Sequence, residues 1–317
     1  MIEELLFKLE RIIGEYVILN DINSIEELTF IKKINDIVFN NCNFSYFLKY
    51  RRKYNLNQID NIVSDFLKKI DYDYYLYYQL RKKDGTILFD NKKSYPSAYS
   101  FYDFSENKRN IYIPITNTLE DAFSIIHELN HDKNIDELGE NDTRMVFTES
   151  LSILLELLFE DYLKKYKITD YKVCNNYTLE AINYKSLYID FVIKLMELYI
   201  NKFNINFNDF LNIIKDYNNK QREELNHILL EIVEDECVDI DFEFRYVLGI
   251  LIATYLYKHI KIKKSNIQEL FEMNDIIKEF NQEQVFDYLE IEYNESDLTH
   301  DSYIILENNY KKYVRNR

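Results

Sequence analysis

A chain of 317 residues with only 4 glycines and 2 prolines cannot turn often. These two residues supply most tight turns and helix stops, and average usage is about 7% and 5%. Long helices joined by few turns are the solution left open, so the sequence predicts a mostly α fold. The 47% hydrophobic content provides a sizeable core, enough for one large domain or two smaller ones.

A formal net charge of −16 repels phosphate backbones. The densest basic stretch, Lys258 to Lys264, is short and mixed with apolar residues, so no nucleic-acid partner is expected. Basic or neutral substrates suit this charge better than acidic ones. The longest apolar run, Tyr246 to Tyr257, falls well short of the roughly 20 residues that span a bilayer, so no membrane partner is expected either. Cys42, Cys174 and Cys237 are odd in number and far apart, which fits neither a disulfide framework nor a Cys-x-x-Cys metal site. The start Met1-Ile2-Glu3-Glu4-Leu5-Leu6 is acidic and then amphipathic, unlike a secretory leader. The expectation is a soluble, cytoplasmic protein.

Residues 1–72 read as an N-terminal helical region, with Ile2, Leu5, Leu6, Leu9, Ile12 and Ile13, and again Ile59, Ile62, Val63, Phe66 and Leu67, at helical spacing. Residues 73–317 read as a second domain. It opens with aromatic and β-branched residues between about 73 and 115, broken by Asp84-Gly85 and Tyr95-Pro96-Ser97, a pattern that predicts a small antiparallel sheet. Its last element, Asn110 to Ile115, contains Pro114, which cannot donate to a ladder; this predicts an edge strand. Thr118-Leu119-Glu120-Asp121 has the look of a capped helix start, so a helix is expected over about 119–133. A second is expected from Asn141 or Asp142 to about Tyr166, marked by Val146, Leu151, Leu154, Leu155, Leu158 and Tyr162. Further amphipathic helices follow from about 175 to the end.

The first of these two helices carries His127-Glu128-Leu129-Asn130-His131, a His-Glu-x-x-His run. Positions i and i+4 lie on one helix face about 6 Å apart, so both imidazoles can reach a single ion. Glu128 is turned roughly 100° around the axis, placed for a general base rather than a ligand. Phe123, Ile125, Ile126 and Leu129 around it are apolar, and buried polar groups need a partner that a metal would provide. Random placement gives roughly 0.007 such runs per chain of this composition. A catalytic zinc usually takes three protein ligands. Asp132, Asp136 and Glu137 follow too closely to turn back to the ion. Glu149, in the first turns of the next helix amid Val146, Phe147, Leu151 and Ile153, is better placed; Glu156, two turns on, is the alternative ligand or a group that orients a histidine.

These segments resemble, in content and order, the thimet oligopeptidase and oligoendopeptidase F family of zinc metallopeptidases. Tyr95-Pro96-Ser97-Ala98-Tyr99-Ser100 is similar to the family's Gly-Ala-Tyr-Ser segment, and Ile111 to Asp121 looks like its strand leading into a Gly-Thr-Leu-x-Asp helix start. Phe147 to Glu156 is similar to its ligand helix, in which two glutamates stand seven positions apart. Phe242 to Gly249 looks like its aromatic stretch ending in Tyr-x-x-Gly. The resemblance spans about residues 75 to 260 and implies a zincin-like fold, with the expected edge strand before the His-Glu-x-x-His helix and a reduced N-terminal cap.

The resemblance also implies one zinc ion per chain held by His127, His131 and Glu149, with Glu156 orienting a histidine. It implies a zinc-dependent endopeptidase for short or unfolded peptides, in which Glu128 activates the zinc-held water. Tyr246 would stabilise the oxyanion, and Tyr99, Tyr112 and Ile113 would bind the peptide substrate. The family's histidine shortly before the aromatic stretch is replaced by Glu236-Cys237-Val238-Asp239. That departure motivates two rivals: a degenerate zinc protein that binds peptides with little activity, or a specialised peptidase processing one partner peptide. A purely structural zinc is a third, disfavoured by the absence of nearby thiolates. His227, His259 and His300 are read as ordinary histidines.

Overall fold

The computed structural model describes residues 2–22, 24–41, 52–92, 94–95, 97–134, 142–169, 177–263, 287, 289–294 and 297–315. It is mostly helical: α1 (Ile2–Leu19), a 3-10 turn (Ile25–Leu28), α2 (Thr29–Phe39), α3 (Leu56–Ile70), α4 (Tyr72–Lys83), α5 (Glu120–Asn134), α6 (Asp142–Lys165), α7 (Tyr177–Lys202), α8 (Phe207–Lys215), α9 (Asn219–Asp235), α10 (Ile240–Lys263) and α11 (His300–Arg315). The strands are β1 (Ile87–Asp90), β2 (Tyr99–Asp103), β3 (Lys108–Pro114) and the short pair β4 (Tyr293–Asn294) and β5 (Asp297–Leu298). No helix among the described residues is long and apolar enough to cross a membrane. Cys42, Cys174, Asp136 and Glu137 lie outside the described residues, as does the side chain of His259.

Two compact units emerge, one of Met1–Phe47, Leu179–Leu248 and Tyr293–Asn316, the other of Leu48–Thr178, Gly249–Glu292 and Arg317. This division differs from the one expected at residue 72. Helix α3 falls in the second unit because Ile59, Val63, Phe66 and Leu67 share a core with Phe123, Ile126 and Phe159. In the first unit, Gly14 of α1 lies where an added Cβ would meet Tyr199 Oη at 2.6 Å, so a larger residue there would require the Tyr199 ring to shift. Asn35 and Ser186 tie α2 to α7 through two buried hydrogen bonds, 3.1 and 2.7 Å long.

With so few glycines, the chain ends helices on other residues in the left-handed region, among them Asp21, Lys167, Phe203 and Glu236. After Asp21 and Lys167 the next amide reaches back five residues, Ile22 N to Val17 O and Ile168 N to Leu163 O, each 3.0 Å. That is the Schellman closure made without its usual glycine.

The second unit departs from expectation at Tyr72–Lys83, which forms a helix rather than part of a sheet. Asp71 caps it by accepting from Tyr74 N at 2.9 Å, and Tyr74 and Tyr78, one turn apart, are both buried. The i, i+4 spacing of these rings outweighs the strand preference of tyrosine. The sheet is likewise a correction: its order is β1-β3-β2, with β1 parallel and β2 antiparallel to β3, so it is mixed rather than antiparallel. Strand β3 is central, not the edge. Pro114 is its last residue, where the missing N–H interrupts nothing, and Ile115 N resumes the ladder to Asp90 O at 2.9 Å. Among the described residues the outer strands of this sheet are β1 and β2.

Helix α5 starts where expected. Thr118 Oγ1 accepts from Glu120 N at 3.2 Å, and Asp121 reaches back to accept from Thr116 N and Asn117 N at 2.8 and 2.9 Å. The helix's C-terminal half is fixed by Asp132. Its carboxylate takes Arg81 Nη2 and Tyr77 Oη, each at 2.8 Å, while Arg109 Nη1 donates to its carbonyl at 2.8 Å. Asp132 is fully buried and Arg81 nearly so. Removing one partner of such a pair strands a charge, so Asp132→Ala should cost about 3–5 kcal/mol, read as a lowered midpoint in chemical denaturation.

Candidate metal centre

The metal motif occupies one face of α5 and meets α6, which packs beside it. His127 Nε2 lies 3.0 Å from His131 Nε2 and 3.2 Å from Glu149 Oε2, and His131 Nε2 lies 3.3 Å from Glu149 Oε1. A tetrahedral ion with bonds of about 2.0–2.1 Å holds its ligand atoms about 3.3–3.4 Å apart. The three side chains are therefore spaced as ligands of one ion would be. All three are buried, and they form a candidate metal-holding group among the described residues.

Glu156 stands behind the first histidine. Its Oε1 is 2.7 Å from His127 Nδ1, and its Oε2 accepts from Thr178 Oγ1 at 2.8 Å. An ionised carboxylate can only accept, so Nδ1 is the nitrogen that donates to Glu156, and Nε2 is the one that faces Glu149 and His131. Both Glu156 oxygens are engaged, and Glu156 is not part of the candidate metal-holding group.

The electrostatics agree with this donor set. Burial pushes the Glu149 carboxyl up, but the facing His131 and His127 outweigh it and hold the group well below the usual carboxylate range. Burial disfavours charge on His127 too, yet Glu149 and Glu156 raise it well above an ordinary histidine. His131 moves the same way, burial again being outweighed by Glu149. Two buried carboxylates facing two imidazoles demand positive charge between them. With protons alone the imidazoles must carry it, whereas a divalent cation supplies it directly. Among the described residues Glu149 Oε2 is buried and has no well-formed hydrogen bond, an orphaned oxygen that a cation would satisfy. The residues fit a metal.

Asn130 joins the parts of the site. Its amide nitrogen donates to Thr148 O at 3.2 Å and Ser152 Oγ at 2.9 Å, and its oxygen accepts from Tyr74 Oη at 2.9 Å. Ser152 Oγ donates in turn to His127 O at 3.2 Å. Gly249 of α10 completes the backing of Glu149. A Cβ there would meet Ile153 Cδ1 at 3.1 Å and Glu149 Cβ at 3.5 Å, so the glycine allows close approach to α6.

Glu128 is buried, and Ser100 Oγ donates to its Oε2 at 3.2 Å. The side chain of Ser100 thus points from β2 toward α5, while Tyr99 and Tyr112, which pair across the ladder and stack at 5.1 Å, occupy the opposite sheet face. Tyr112 Oη donates to Asp90 Oδ2 at 2.6 Å, and Ile113 is fully buried in the core. With β3 hydrogen-bonded on both sides, neither Tyr112 nor Ile113 offers a free backbone edge; β2, carrying Tyr99 and Ser100, has one among the described residues. Tyr246 belongs to the first unit, where Lys185 Nζ lies 3.9 Å from its ring and Phe242 5.5 Å away. Sequence reasoning passed over Ser100, Asn130, Ser152 and Thr178. Ser100 and Ser152 lie within recognised segments, but nothing local marks Thr178.

No family model and no curated protein matches the sequence. Solved structures do match the fold. The crystal structure of a putative oligoendopeptidase F from Bacillus anthracis str. Ames superposes with a TM-score of 0.53 over 84% of this chain and 47% of its own, at 9% identity. That of a putative peptidase from Chlamydophila abortus does so with a TM-score of 0.51 over 95% and 55%, at 16% identity. The chain spans about half the length of these proteins. Its fold is similar to theirs.

Loss of a group that orients a metal-bound histidine typically weakens binding about 10–100-fold without removing a ligand. Glu156→Gln should therefore raise the metal dissociation constant by that factor in chelator competition, yet still load one ion at saturating metal. Glu149→Gln should fail to load a stoichiometric ion.

Proposed function

We propose that the protein is a zinc-dependent endopeptidase of unfolded or short peptides. The observation that carries this reading is the convergence of His127 Nε2, His131 Nε2 and Glu149, with Glu156 2.7 Å from the other nitrogen of His127. Two imidazoles and one carboxylate are the donor set of catalytic zinc in several peptidases, and they leave a position open. The likeness of the fold to two peptidase structures supports the same class.

Bound zinc would supply Lewis acidity to the scissile carbonyl and lower the pKa of the attacking water. Glu128 would take that water's proton on its carboxylate and hand it to the leaving amine. Ser100, donating to Glu128 Oε2, would hold the carboxylate in position. The substrate would lie extended along the open edge of β2, gaining main-chain hydrogen bonds that are indifferent to sequence. Of the three residues expected to bind the peptide, this keeps Tyr99 and leaves Tyr112 and Ile113 out. The assignment of Tyr246 as oxyanion donor rests on the resemblance of its segment alone.

Glu128→Gln tests the reading. Loss of the base should lower kcat about 10²–10⁴-fold on unstructured peptides, while metal analysis still finds one zinc per chain. Unchanged hydrolysis would overturn the catalytic role. Stoichiometric zinc with no hydrolysis in the unmodified protein would favour a peptide-binding relative.

A further inference from the structure

The hydrogen bonds around His127 continue one residue beyond its glutamate. Glu156 Oε1 lies 2.7 Å from His127 Nδ1, and Thr178 Oγ1 donates to Glu156 Oε2 at 2.8 Å. All three side chains are buried, Thr178 the most deeply at 1% exposure, and all belong to the second unit. Three helices contribute to the series: α5 carries the imidazole, α6 the carboxylate and the first turn of α7 the hydroxyl.

The start of α7 is itself held against both helices. Tyr177, the residue before Thr178, stacks on Phe123 with ring centroids 4.1 Å apart, and Phe123 stands one turn ahead of His127 on α5. The Thr178 backbone amide donates to Glu160 Oε1 at 3.4 Å, one turn beyond Glu156 on α6. A ring stack on one helix and hydrogen bonds to the other thus bring the hydroxyl to Glu156. A glutamate side chain has three rotatable bonds, so a contact through Oε1 alone would let the carboxylate pivot about that oxygen. The second bond, through Oε2, fixes its plane and with it the oxygen that faces His127 Nδ1. Taking that donor away would leave a buried oxygen without its partner and favour another rotamer.

We propose that Thr178 is a positioning residue for the candidate metal centre, its hydroxyl holding Glu156 against His127 and thereby setting how tightly zinc is bound. The inference rests on the zinc reading above and extends it to a residue 22 positions beyond Glu156 that is not itself in the candidate metal-holding group. An imidazole held ready in this way does not have to be ordered when the ion arrives, which tightens binding without a new ligand.

The test compares zinc dissociation constants of the whole chain by chelator competition. Thr178→Val nearly keeps the shape of the side chain and removes the hydroxyl; it should raise the constant about tenfold, the lower end of the range for a lost group that supports a metal ligand. Thr178→Ser keeps the hydroxyl and should stay within about twofold of the unmodified protein. In a Glu156→Ala background there is no carboxylate to hold, so adding Thr178→Val should change the constant by less than about twofold. Zinc held as tightly by Thr178→Val as by the unmodified protein would overturn the proposal. So would Thr178→Ser binding as weakly as Thr178→Val, or a tenfold effect that persists with Glu156→Ala. The valine and serine comparison decides alone if the alanine background does not fold. Unmodified protein that takes up no zinc would overturn the zinc reading and this inference with it. The expected pattern in a protein that holds zinc but cleaves no peptide would support the inference and sink the peptidase reading.

Discussion

The second unit depends on a single buried amide. Asn130 uses its nitrogen on two groups of α6 and its oxygen on the hydroxyl of Tyr74 in α4. A slip of either helix would leave that amide unpaired in a place water does not reach, at about 1–3 kcal/mol for each stranded group. The register of α5 against α6 is fixed in this way. Because Ser152 is one turn from Glu149, fixing that register places Glu149 opposite both histidines. The candidate metal-holding group is thus a by-product of helix packing as much as of its own side chains.

The local part of this arrangement was legible in the residues. The spacing of His127 and His131 sets their common face, Thr118 and Asp121 announce the start of α5, and the stripe from Val146 to Tyr162 announces α6. These are properties of one helix at a time, and the 3.6-residue period fixes them without tertiary information. Glu149, the third member of the candidate group, already required a comparison of segments, since nothing in the sequence alone says that α6 returns along α5.

The rest was not legible because it concerns partners far apart in sequence. Pro114 suggested an edge strand, but a proline at the end of a strand interrupts no ladder, so the inference fails for a central strand that stops there. The tyrosines of α4 read as strand residues until their i, i+4 burial is known. Thr178 holds Glu156 from a helix 22 positions later. The division into units is also non-local: α3 joins the core around α5 because its apolar stripe is buried there, and no composition change marks that choice.

Scarcity of glycine has a thermodynamic consequence at the helix ends. Lys167, Phe203 and Glu236 adopt φ values of 52°, 51° and 52°, which place a side chain against its own backbone at about 1–2 kcal/mol each. The fold therefore carries strain at its joints that another sequence of the same shape would not. Glycine at these positions would relieve it without altering any side chain of the metal centre, leaving a reserve of stability that the natural sequence does not draw upon.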